Sequence, residues 1–272
     1  MNEQEYNSAE GIRRSDLWLM NDSAEKFKWH MDNPEEEKTP ALLFGSACHK
    51  WVLEQADFWN EYAIAPVADK RTKEGKAIWE KFRAENEGKA VISYDDFNLM
   101  NEMDNVLKKN SLACTLLYGD GETEVPLFWT DPDTGEKCKV KCDRIVRDGD
   151  RMIVVDYKTA GSARTDDFNR SVLNFGYSLQ AAMYTEAILV CRNPDKRPRF
   201  VFVVQEKKAP YSVNVIEVDY EVMQYGLTQY RELLNKYHAC RELDVWEGYN
   251  AGNEINQTTL PKWAMNQEEE DE

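Results

Sequence analysis

The run IVVDYKTAG, residues 153–161, places an acid and a lysine two positions apart at the end of the strongest buried-strand pattern in the chain. An ionisable group in a buried strand costs free energy unless water or a partner reaches it. Side chains alternate across a strand, so Val154, Asp156 and Lys158 share one face while Ile153, Val155 and Tyr157 share the other. In the preceding segment the same parity aligns Lys139, Lys141 and Asp143 and leaves Val140 and Cys142 opposite. If RDGD (147–150) turns the two segments into a hairpin, Asp143 and Asp156 converge at one end of the sheet.

Two converging carboxylates repel unless one is protonated or a cation lies between them. A hard divalent ion with oxygen ligands suits that position, and Mg²⁺ keeps several waters for chemistry. A lysine beside such a centre can orient or deprotonate a water, or stabilise charge developing on a phosphate. From this stretch alone two readings stand: a phosphodiester-cleaving centre, or an Asp–Lys pair solvated at a strand end.

Outward from the hairpin, 121–158 reads as three strands, the first two joined by DPDTGE (131–136) and the next two by RDGD. Residues 178–191 predict a helix, 199–206 and 211–219 predict strands, and 220–243 predicts a long helix. On the N-terminal side the pattern is helical. Ser15-Asp16 and Asp22-Ser23 offer N-caps within 8–31, a helix runs from near Gly45 to about residue 56, and 66–90 passes from a basic loop into an amphipathic helix. A further helix is expected from Ser93 to about Leu117. Helices, a meander, a helix and two more strands predict an α/β fold with a central mixed sheet flanked by helices. The organisation expected is a helical N-terminal part over 1–120 carrying His49, a catalytic core over 121–246, and an extension over 247–272 with a disordered acidic tail.

Composition narrows the class. Eight Trp, thirteen Tyr and ten Phe against thirteen Gly and nine Pro describe a packed globular chain. With no apolar run of about 18–20 residues and a polar, acidic start, a cytoplasmic protein without a membrane span or secretory leader is expected. The six cysteines lack C-x-x-C spacing, which argues for reduced thiols and against a structural zinc or an iron–sulfur cluster. A net charge of −16 weighs against a nucleic-acid partner, but five of the acids lie in EEEDE (268–272). Net charge reports on solubility more than on a local groove.

The series Glu124, Asp143, Asp156-Tyr157-Lys158, followed by Gln180 and Tyr184 four apart on a helix face, resembles the core of the PD-(D/E)XK nuclease superfamily. His49 within FGSACHKWVLE (44–54) resembles its RecB-like branch. The segments 6–31, 41–66, 69–82 and 124–145 together are similar to the nuclease domain of RecE-type phage and prophage exonucleases, over about Tyr6 to Leu243.

That resemblance implies a restriction-endonuclease-like PD-(D/E)XK core. It also implies an Mg²⁺-dependent enzyme, with Mn²⁺ able to substitute, that digests linear double-stranded DNA processively from 5′ to 3′ and leaves 3′ single-stranded tails. A homo-oligomeric ring around the duplex and a RecT-type single-strand annealing partner in recombination are implied likewise, in a bacterial host's cytoplasm. His49, Asp143, Asp156 and the Tyr157 carbonyl become metal ligands. Lys158 becomes the catalytic lysine, Glu124 an acid serving a second metal or its water, and Gln180 and Tyr184 positioning groups. Each has a plainer rival: a core histidine, an edge-strand surface acid, a glutamine bonded to backbone, a core tyrosine. For the DNA backbone the candidates are Arg13 and Arg14; Lys70, Arg71, Lys73 and Lys76; and Arg164 with Arg170, against the rival that all are solvated surface. A structure-specific endonuclease of the same fold and an inactive DNA-end-binding module remain as alternatives.

Overall fold

The segment RFVFVVQE sends Phe200, Phe202 and Val204 into one hydrophobic core and Val201 and Val203 into another. Such a strand can only be central, covered on both faces. The computed structural model, which describes residues 1, 3–33, 39–252 and 255–260, bears this out. The expected disordered tail at 268–272 lies outside the described residues.

In chain order the elements are α1 (Glu3–Ser8), α2 (Arg14–Asp22), α3 (Ala24–Asp32), α4 (Pro40–Leu53), α5 (Phe58–Glu61), β1 (Tyr62–Ile64), α6 (Lys73–Glu85), β2 (Ala90–Ile92), α7 (Tyr94–Leu107) and α8 (Ser111–Tyr118). They continue as β3 (Gly121–Thr130), β4 (Lys137–Asp148), β5 (Arg151–Ala160), α9 (Thr165–Asn174), α10 (Tyr177–Arg192), β6 (Arg199–Glu206), β7 (Val213–Glu217) and α11 (Tyr220–Leu243). The main sheet runs β3-β4-β5-β6-β7, with β5 and β6 parallel and the other pairs antiparallel. One core lies between the sheet and α2, α3, α9, α10 and α11; the other lies between the opposite face and α4, α5, α7 and α8. This is the mixed sheet with helices on both faces that the alternation predicts.

One topological feature positions the site. β4 pairs with β5 from Asp148↔Arg151 to Arg144↔Val155, and there the pairing stops. Beyond it β4 continues alongside β3 to Lys137, while β5 continues alongside β6 to Ala160. The sheet forks, and Asp143 and Asp156 are the first residues past the fork.

Several local expectations need correction. The helix expected over 93–117 is two helices, α7 and α8, because Asn110 caps the second by accepting from the Ala113 N–H (3.0 Å). The helix bearing His49 is entered not near a glycine but at Thr39, whose hydroxyl accepts from Leu42 N, with Pro40 at the first helical position. Ser23 caps α3 as expected, whereas α2 starts one residue before Ser15, with Asp16 Oδ2 accepting from the Arg13 N–H (2.9 Å). The parallel β1–β2 pair and the helix α9 have no counterpart in the sequence reading. All six cysteines are free.

Candidate active site

Three elements meet at the fork. α4 presents His49, β3 presents Glu124, and β4 presents Asp143. His49 Nε2 lies 2.7 Å from Asp143 Oδ2, and its Nδ1 lies 3.5 Å from Glu124 Oε1. Ligand atoms of the three residues all fall within 4.8 Å of one another. Glu124 Oε2 is 2.5 Å from Lys141 Nζ, while Oε1 is buried with no hydrogen-bond partner among the described residues. An orphaned carboxylate oxygen, an imidazole and a second carboxylate are a donor set that fits a divalent ion.

Asp156 stands one step behind this group. It is 1% exposed and does not line the groove. Gln180, on α10, donates to its Oδ1 (2.5 Å), and Lys158 Nζ lies 2.8 Å from its Oδ2. The Tyr157 N–H donates to Asp143 Oδ2 (2.9 Å), a side-chain bond across the fork where the ladder has ended. The Tyr157 hydroxyl donates to Gln205 Oε1 (2.7 Å), whose amide donates to the Met103 carbonyl, so the D-Y-K strand is tied to α7. Tyr184 packs with its ring 6.2 Å from Phe200, one helical turn from Gln180.

The electrostatics follow from crowding acids beneath a helix. Burial opposes charge on His49, but Asp143, Glu124 and Asp156 outweigh it and raise its pKa to about 9. Without a metal the imidazolium is the cation between the carboxylates. Burial alone would raise Asp143, yet His49, Lys158 and the Tyr157 N–H hold it below the ordinary range. Asp156 moves the other way: burial and the Asp143 charge raise it, only partly offset by Lys158. Glu124 is raised, chiefly by burial, with His49 pulling against it. Burial keeps the Tyr184 hydroxyl un-ionised, with the charges of Asp156 and Asp143 adding to the effect.

His49, Glu124, Asp143, Tyr157 and Lys158 line a groove of about 1040 Å³. Its lysines are Lys50, Lys141, Lys158 and Lys207. The sequence reading assigned a role to Lys158 alone, although Lys141 was already aligned with Asp143 by parity. None of the eight proposed DNA-backbone residues lines the groove. Arg13 is held by Asp16, and Arg14 donates to the Phe175 carbonyl (3.2 Å). Lys70 sits over the Trp79 ring at 3.8 Å, and Arg71 pairs with Asp69. Lys73 and Lys76 are exposed on α6, and Arg164 and Arg170 pair with Asp166 and Asp167.

A sequence model of the family described as "PDDEXK-like domain of unknown function (DUF3799)" matches residues 15–258. The chain belongs to this PDDEXK-like family. A crystal structure from Eubacterium rectale, described as a "Putative exonuclease", superposes with a TM-score of 0.62. That comparison covers 98% of each chain at 14% identity and shows the shared fold. A second crystal structure, of SSO0001, covers 80% of this chain and 84% of its own at 15% identity, but its TM-score of 0.29 carries no argument. No curated protein sequence matches the chain. Family and site together support a nuclease of the PD-(D/E)XK type, with His49, Glu124 and Asp143 as the candidate metal-binding group. Among the described residues no helix is long and apolar enough to cross a membrane.

Proposed function

We propose that this DUF3799 protein is a divalent-metal-dependent exodeoxyribonuclease of the RecE type, acting on ends of double-stranded DNA. The observation that carries this reading is the grouping of His49, Glu124 and Asp143 within 4.8 Å in the lining of a groove, with the Asp156–Lys158 pair beside it.

His49, Glu124 and Asp143 would hold the ion, with Asp156 and the Tyr157 carbonyl as neighbouring candidates. Mg²⁺ is the proposed occupant and Mn²⁺ a substitute, since carboxylates and waters suit both. A bound divalent ion supplies Lewis acidity, lowering the pKa of a water and neutralising charge on the phosphate. The chain's own residues do the rest. Lys158, with its side chain 21% exposed, reaches the groove to orient a water or donate to a phosphate oxygen. Asp156, clamped by Gln180, fixes that ammonium. Tyr157 braces Asp143 through its amide.

The finer reading is processive 5′-to-3′ digestion leaving 3′ tails for a RecT-type annealing protein, by a homo-oligomeric ring in a bacterial cytoplasm. It rests on the sequence resemblance. The basic clusters around Arg14, Lys70 to Lys76 and Arg164 to Arg170 would then meet DNA outside the groove.

The test uses linear duplex labelled at either 5′ end, and covalently closed circular duplex, with Mg²⁺ or a chelator. The expected result is Mg²⁺-dependent release from linear ends, closed circles untouched, and activity lost at least about 100-fold in Lys158→Ala. Cutting of closed circles would replace the exonuclease with an endonuclease. Full activity in the variant would remove Lys158 from the chemistry.

A further inference from the structure

The groove has a second lining that the metal-binding group does not use. Phe175, at the end of α9, faces it and is 55% exposed, and Leu42, in the first turn of α4, lines it too and is 62% exposed. Leaving such side chains in water forgoes the burial that stabilises the rest of the fold.

Phe175 is held rather than loose. Its ring meets Tyr177 at 5.8 Å and 43°, and Tyr177 is anchored in turn on Phe168 (5.8 Å, stacked) and Phe202 (5.6 Å). The backbone is pinned by the Phe175 N–H donating to the Ser171 carbonyl (2.9 Å) and by Arg14 donating to the Phe175 carbonyl. Gly176, at φ +65°, makes the turn into α10; a Cβ there would come within 2.4 Å of the Trp18 ring. The Tyr177 ring centroid is 5.0 Å from Lys158 Nζ. An aromatic path therefore runs from the lysine beside the acids to a fixed, exposed ring in the same groove.

We propose that Phe175 is a stacking platform for one unpaired nucleobase of the strand being cut, next to the scissile phosphate. This deepens the nuclease reading above and rests on it. A ring fixed in advance loses little freedom on binding, and every base offers a π-face whatever the sequence. Bases within a duplex have both faces covered by their neighbours, so the occupant is a base that has left the stack. The substrate at the site is then a separated end, not an intact duplex.

A cycle between protein and DNA tests this. Phe175→Ala and Phe175→Trp are compared with wild type on linear duplexes whose 5′-terminal nucleotides are normal or abasic, by kcat/KM with Mg²⁺. A base stacked on Phe175 predicts a loss of roughly 5- to 100-fold in Phe175→Ala on normal DNA. The same loss is expected for wild type on abasic DNA, no added loss when both changes combine, and recovery in Phe175→Trp. A 2-aminopurine at the 5′ end, bound with Ca²⁺ in place of Mg²⁺, reads stacking without cleavage: its emission stays quenched on wild type and rises on Phe175→Ala, where the base that has left the duplex has no ring to stack on. Equal losses on normal and abasic DNA, or unchanged quenching in Phe175→Ala, overturn the platform. A wild type that digests no DNA sinks the nuclease reading instead, and the fluorescence then decides the platform by itself.

Discussion

At Glu124 the backbone holds φ at +51°, a left-handed conformation rare for a residue with a Cβ. Its neighbours explain the need. Val125 pairs with Cys142 and Thr123 with Arg144, and Cys142 and Ile145 enter the same core although three positions apart. Strict alternation would put them on opposite faces, so the facing reverses between them and swings Glu124 and Asp143 toward α4. Strain of this kind costs about 1–3 kcal/mol and gathers at functional sites. Glu124→Gly should therefore be more stable to urea than Glu124→Gln by on the order of 1 kcal/mol, while calorimetry finds both binding divalent metal more weakly than wild type. Equal stability would deny the strain. His49 carries a pH signature: its pKa of about 9 in the metal-free protein stands above the ordinary 6.5. A raised folded-state pKa contributes stability that is complete below about 6.5 and lost as pH rises through 9. Thermal melts of metal-free protein should fall across that window, and His49→Gln should flatten the dependence.

At the scale of elements, α10 shows how the site is backed. Ser178, Leu179, Gln180, Ala181, Ala182 and Met183 are consecutive and buried, which an amphipathic surface helix would not allow. Small residues let α11 approach closely, and at Gly226 a Cβ would lie 2.1 Å from the Ser178 carbonyl oxygen. Gly226→Ala should push α11 away and cost roughly 1–3 kcal/mol in thermal or chemical denaturation; a neutral result would show that the helices can shift freely. The strands of the main sheet and α11 were legible because each carries enough residues for its apolar pattern to register. The split between α7 and α8 was not, since apolar spacing continues through Asn110 and only the cap at that residue divides it. The β1–β2 pair escaped notice because three-residue strands carry too little alternation.

For the whole molecule, the proposed DNA substrate sets a condition: an acidic chain would meet a polyanion through few groups. Among the groove cations, Lys158 pairs with Asp156, Lys141 with Glu124, and Lys50 with Glu54 and Glu61. Lys207 has no ion pair among the described residues. Lys207→Ala should weaken DNA binding and reduce the slope of log K against log salt by about 1. Lys196→Ala, which removes a partner of Asp150 at the far end of β5, should change neither. Fluorescence anisotropy over a salt series measures both, and an unchanged slope for Lys207→Ala would place the DNA elsewhere.

The sequence by itself determined the strand order of the meander, the facing of Asp156 with Lys158, the alignment of Lys141 with Asp143, and the series of motifs that points to the PD-(D/E)XK fold. All of these depend on spacing within one segment, where alternation and helical period act directly. Tertiary structure decided that β4 and β5 part at Asp143 and Asp156, that His49 stands between Glu124 and Asp143, that Asp156 sits behind the groove, and that Phe175 lines it. Those relations join residues far apart in the chain and depend on packing across two cores, which no local periodicity encodes.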